Sequence, residues 1–316
     1  MVSQIDTNIS SFINTVTDVV TGAVTDIASF IQSEATTIQH RQRSDVPKSL
    51  VAELGLRGAP NREAYFQALA QNVSWVDYAN GTLLAASDTP GIPRYRVQKT
   101  LQYPEGLKAM IVTSDTPGEA PLMIIRGTVV NNVHNVIDDL HYNIGTLNMD
   151  RHGRELAREL ELLAAEHGRV HVLGHSYGGA IAQHLTSRHP QLISRCSSYN
   201  APGVGDNIVD TYFRNVARLP EGYPLPEIVS VRHAKDVVSL LGGEHLPESP
   251  GRAYTGGSVD DGISYIDAHS YNTLSTGAPH STTDYRSHDY LRPVASSAER
   301  LREGVSRIMP LVASII

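Results

Sequence analysis

Ser176 stands in the run Val170-His-Val-Leu-Gly-His-Ser-Tyr-Gly-Gly-Ala180, at the centre of a Gly-x-Ser-x-Gly turn from Gly174 to Gly178. The residues before it read as an apolar strand. Those after it, Ala180, Ile181, Ala182 and Leu185, read as a helix. A serine on a sharp strand-to-helix turn projects its hydroxyl from the sheet edge, while the helix's first N–H groups aim at the same point. The flanking glycines let strand and helix approach closely there. A bare Gly-x-Ser-x-Gly also arises as a passive turn; the strand before it and the helix after it make Ser176 the candidate nucleophile.

A serine hydroxyl attacks a carbonyl only if an imidazole takes its proton and a carboxylate holds that imidazole in the right tautomer. Asp236 is the candidate acid, because it follows the apolar strand Ile228 to His233 almost at once. Asp206, in the Gly-rich run Asn200-Ala-Pro-Gly-Val-Gly-Asp206, is the fallback, although aspartate is common in such loops for turn reasons alone. Three histidines downstream could serve as the base. His269 follows the apolar run Ile263-Ser-Tyr-Ile266, where a strand end is expected; His280 precedes Ser281-Thr-Thr-Asp284, which resembles a helix capping box; His288 lies farther on. His269 is the first choice, with His288 and His280 as alternatives. The remaining histidines, such as His134, His171, His184 and His189, lack metal-ligand spacing, and no metal or cofactor is expected.

These residues need a scaffold. Helices are expected over about 62–70, 151–167, 208–216 and 296–309, alternating with strands over 107–113, 122–126, 170–174, 193–199 and 228–233, and with short strands near 252–255 and 263–266. The alternation implies an α/β fold with a parallel sheet and helices on both faces. Residues 1–46 read as a separate unit, an amphipathic helix carried by Ile9, Phe12, Val16, Val19, Ala23, Ile27 and Phe30 followed by a polar linker; residues 47–316 form the main domain. That helix is expected to dock on the domain, on a protein partner or on a membrane surface.

Composition narrows the class. The 316 residues are 41% hydrophobic and 19% charged, as in an ordinary globular protein, and the net charge of −7 argues against a nucleic-acid partner. The single cysteine, Cys196, cannot form an internal disulfide, so a reducing compartment suits the chain. No Lys or Arg occurs in the first 40 residues, so no signal peptide is recognised, and export would be non-classical.

Five elements in order, Arg126-Gly-Thr128 after a strand, Asn135-Val-Ile-Asp-Asp-Leu140, Gly174-His-Ser-Tyr-Gly-Gly-Ala180, Asn200-Ala-Pro-Gly-Val-Gly-Asp206 and Lys235-Asp-Val-Val238, together resemble the class 3 lipase family. The resemblance spans about 122–240. It implies an α/β-hydrolase fold and hydrolysis of lipid or other small carboxylic esters by a lipase, phospholipase or esterase. It also implies that Thr128 and the Tyr177 N–H form the oxyanion hole, with a lid over 129–146. Val136 takes the place of the family's usual aromatic residue, which implies a less bulky lid. The resemblance does not choose among the three histidines. An acyltransferase or thioesterase using the same serine, and a non-catalytic module on the same scaffold, are the competing readings.

Overall fold

The computed structural model describes residues 62–71, 77–84, 93–103, 106–127, 144–233, 236, 238–250, 252–256 and 280–281. A nine-stranded sheet crosses the molecule in simple sequential order. Its strands are β1 (Leu83–Leu84), β2 (Tyr95–Gln102), β3 (Lys108–Ser114), β4 (Leu122–Ile125), β5 (Val170–His175), β6 (Ile193–Tyr199), β7 (Glu227–His233), β8 (Ala253–Gly256) and β9 (His280–Ser281). The strands from β4 to β8 are parallel; β1 to β3 add to one side and β9 to the other in antiparallel fashion. Among the described residues four α-helices accompany them: α1 (Arg62–Gln71), α2 (Thr146–His167), α3 (Tyr177–Arg188) and α4 (Asp206–Val216).

Sequential order has a consequence for the layers. When every right-handed crossover steps in the same direction, all the crossover helices land on one face. The core shows this division. Leu156, Leu160 and Leu163 of α2, Ala180, Ile181 and Leu185 of α3, and Ile208 and Tyr212 of α4 share one cluster with Met123, Ile125, Val170, Val172 and Ile228. The opposite face carries Leu122, Ile124, Leu173, Val229 and Val231, and it is covered by Tyr65, Phe66 and Leu69 of α1. Alternate residues of β4 therefore bury on opposite sides, which is why the strand is apolar throughout rather than at every second position. Both faces carry helices as expected, but the second is closed by a helix that precedes the sheet.

Strand β2 is absent from the sequence expectation. It alternates Tyr95 and Val97, both buried, with partly exposed Arg96 and exposed Gln98, and a register shift between Val97 and Lys99 then breaks the alternation before Leu101, so its continuous apolar signal is only two residues long. Helix α2 starts earlier than expected, at Thr146, following Gly145 in a left-handed conformation (φ 91). Ser281, expected as a helix cap, instead pairs with Tyr254 in β9. The expected strand over 263–266, the helices over 1–40 and 296–309, and the boundary at residue 46 lie outside the described residues. Among the described residues no helix is long and apolar enough to cross a membrane.

Candidate active site

Parallel strands share one carboxyl edge, and the candidate residues collect there because each follows a different strand of the β4 to β8 series. Arg126 and Gly127 follow β4, Ser176 follows β5, Asn200 follows β6 and Asp236 stands three residues beyond β7. Registers keep the strand ends level: Ile125 faces Gly174, His175 faces Tyr199, and Tyr199 faces Val231.

Ser176 has φ 55 and ψ −130, one of two non-glycine residues with positive φ among the described residues. A conformation of this kind costs on the order of 1–3 kcal/mol and persists only where the surroundings leave no alternative. Here they leave none. A Cβ on Gly174 would stand 2.2 Å from the Gly178 carbonyl carbon, and one on Gly178 would stand 2.3 Å from the Ile125 carbonyl oxygen. One on Gly179 would meet Ala201 Cβ at 2.5 Å. Strand, turn and helix thus touch backbone to backbone, and the Ser176 N–H donates to the Tyr199 carbonyl at 2.9 Å. The serine itself is half-buried between two buried neighbours, His175 and Tyr177.

The same contact brings the end of β4 against the first turn of α3. Helix starts carry N–H groups without intrahelical acceptors, so the Tyr177 amide is suited to receive an oxyanion beside Ser176. The Tyr177 ring is fixed as well, because its hydroxyl accepts from Asn148 Nδ2 at 2.6 Å, tying α3 to the start of α2. Thr128, the other expected donor, lies outside the described residues; its neighbours Arg126 and Gly127 end at the rim.

Asp236 is 2% exposed. Its N–H donates to the His233 carbonyl at 3.0 Å, and its Oδ1 accepts from the Val238 N–H at 3.0 Å, opening the 3-10 turn Val238–Leu240. Ser239 Oγ donates to the Asp236 carbonyl at 2.8 Å. The carboxylate is therefore buried and aimed by its own turn. Asp206, the fallback acid, is the exposed first residue of α4.

Of the three histidines expected as base, His269 and His288 lie outside the described residues. His280 pairs with Thr255 at the rim end of β9. Gly256, the last residue of β8, reaches the same edge beside His233.

A second serine–histidine pair has the right distance but the wrong setting. His171 Nε2 and Ser197 Oγ are 2.8 Å apart under α1, where Phe66 packs edge-on to the imidazole. Burial, with Arg195 and Arg62 adding to it, holds the His171 pKa well below the usual histidine range. Arg195 Nε also donates to Ser197 Oγ, so the hydroxyl is engaged by both the guanidinium and the buried ring. Two cations lie at the rim near β4: Lys108, 1% exposed and 2.7 Å from Asp77, and Arg126, both with pKa values lowered by burial. Among the described residues no cluster of His, Cys, Asp or Glu could hold a metal.

Residues 135–260 match a family model described as alpha/beta hydrolase fold. The chain has that fold. It is similar to a solved triacylglycerol lipase from Penicillium expansum, at 13% identity over 62% of this chain and 79% of that one, with a TM-score of 0.42. A Lip2 lipase from Yarrowia lipolytica is 15% identical over 61% of this chain and 78% of that one, with a TM-score of 0.39. A native Rhizomucor miehei lipase propeptide complex is 18% identical over 74% and 84%, with a TM-score of 0.41. No curated protein matches the chain. At these identities, function has to be read from the chain's own residues.

Proposed function

We propose that the chain is a serine hydrolase of the class 3 lipase type, cleaving carboxylic esters of lipids through an acyl-enzyme intermediate. The supporting observation is the backbone of Ser176, held at φ 55 and ψ −130 by glycine contacts that admit no side chain.

In this reading Ser176 Oγ attacks the ester carbonyl carbon while an imidazole removes its proton. His269 is the first choice for that base, with His280 and His288 as alternatives. The carbonyl oxygen becomes an oxyanion, met by the Tyr177 N–H and by Thr128; one such donor is worth about 3 kcal/mol of the barrier. Buried Asp236 orients the imidazole and stabilises it once charged. The alkoxide leaves with the imidazole's proton, and water, deprotonated by the same ring, then releases the acid from Ser176.

Hydrolysis of p-nitrophenyl esters of graded chain length tests the proposal. Ser176→Ala is expected to lose at least a thousandfold in kcat, as is Ala at one of His269, His280 and His288. Equal turnover by wild type and Ser176→Ala would remove the serine from the chemistry. Adding a short alcohol separates transfer from hydrolysis, since an acyltransferase would yield the new ester in place of free acid.

A further inference from the structure

Asn200 is the second non-glycine residue with positive φ among the described residues, at φ 46. Glycine adopts this conformation at no steric cost, and asparagine is among the few other residues that tolerate it. The conformation turns the chain out of β6 just where its ladder with β7 stops, at the Tyr199–Val231 pair. A strand that turns away leaves its neighbour's next N–H without a ladder acceptor. Asn200 supplies one. Its own N–H donates to the Val231 carbonyl at 2.8 Å, and its Oδ1 accepts the His233 N–H at 2.9 Å. The His233 carbonyl then accepts the Asp236 N–H at 3.0 Å. On the other side of β6, the Tyr199 carbonyl accepts the Ser176 N–H at 2.9 Å.

The Tyr199–Asn200 dipeptide therefore touches both halves of the candidate site, holding the amide of the serine on one flank and the departure point of the aspartate on the other. Residue 200 is fully buried. We infer that Asn200 is a positioning residue, whose side-chain oxygen extends the β6–β7 ladder by one bond and so fixes where Asp236 stands relative to Ser176. The inference rests on the hydrolase reading above for its effect on rate, but its geometric content stands apart from the chemistry.

Three variants separate the side chain from the backbone turn. Asn200→Gly keeps the left-handed conformation and removes the oxygen; Asn200→Asp keeps an acceptor of the same shape; Asn200→Ala removes the acceptor and strains the turn. Displacing a catalytic group by about 1 Å costs up to about a hundredfold. Asn200→Gly should thus lower kcat for ester hydrolysis roughly ten- to a hundredfold, with KM unchanged within about twofold. The acid limb of its pH profile should move to lower pH, because an imidazole less well placed against Asp236 holds its proton less tightly. Amide exchange at His233 and Asp236 should accelerate. Asn200→Asp should recover to within about threefold of wild type. The inference is overturned if Asn200→Gly turns over at the wild-type rate with the wild-type pH profile, if Asn200→Asp is as impaired as Asn200→Gly, or if the two amides exchange as in wild type. Should folded wild type hydrolyse no ester, the hydrolase reading fails, and exchange at His233 and Asp236 alone then decides whether Asn200 holds the aspartate's loop.

Discussion

Gly178 and the Ile125 carbonyl oxygen are packed so closely that a Cβ on the glycine would stand 2.3 Å away. The contact joins the first turn of α3 to the end of β4, so the turn that displays Ser176 and the segment leading into Gly127 are fixed to one another. Gly178→Ala must push backbone from backbone, and we expect it to cost several kcal/mol, lowering Tm by roughly 10 °C or more. Gly168→Ala is the control: its φ of 85 carries strain, but nothing lies within 4 Å, so a loss of only a few degrees is expected. Thermal melts of the two variants against wild type check the difference.

Acid should unfold the protein through its buried imidazoles. His184 Nε2 donates to the Ile144 carbonyl at 2.8 Å, and burial lowers its pKa from 6.5 to about 4. Above pH 6.5 both folded and unfolded states hold this ring neutral. Between pH 6.5 and 4 the unfolded chain binds a proton that the folded one refuses, so stability falls as pH falls, by on the order of 3 kcal/mol across that window. His171 acts in the same direction. His184→Gln can keep the donor and remove the titration, and urea midpoints between pH 7 and 4.5 should then fall less steeply. An unchanged slope would contradict this assignment.

The Asn148–Tyr177 bond couples the starts of α2 and α3. Both groups are buried, so Tyr177→Phe is expected to cost about 1–2 kcal/mol, and a double-mutant cycle with Asn148→Ala should show a coupling above about 0.5 kcal/mol. Strict additivity in denaturant midpoints would mean that the pair does not hold the helices together.

Cys196 should be silent in the folded state. It is fully buried, and burial pushes its thiol up to about 12. Iodoacetamide is therefore expected to leave the native protein unmodified and to alkylate one thiol in denaturant. Native-state alkylation would show that β6 opens.

What the sequence revealed follows from where its signals are strong. Strands β4, β5 and β7 were legible from their apolar residues, α4 from its three-to-four spacing, and α1 and α3 from small and apolar residues that bury nearly all round the helix. Strand β6, Ile193-Ser-Arg-Cys-Ser-Ser-Tyr199, is mostly polar and was readable chiefly from its place between two helices. Strand β2 escaped because it carries Tyr95 and Val97 and little else that is apolar. The glycines around Ser176 announced the turn, and the position of residue 236 just past the end of a strand was readable from the apolar run before it. Asn148, Gln183 and Asn200 were not. Each acts through a partner distant in sequence: Gln183, for example, bonds to the Pro202 carbonyl and the Leu246 N–H, and periodicity does not report such pairings. Asn200 offered one usable hint, an asparagine at a strand end before Ala-Pro-Gly, where a left-handed turn is favoured.

The central claim, that Ser176 is an activated nucleophile, is tested most directly by intact-mass spectrometry after treatment with a fluorophosphonate. We predict a single adduct per folded chain, mapped to the peptide bearing Ser176, slowed by Asp236→Ala and absent from Ser176→Ala. A folded wild-type protein that gains no mass, or an adduct that persists in Ser176→Ala, would contradict it.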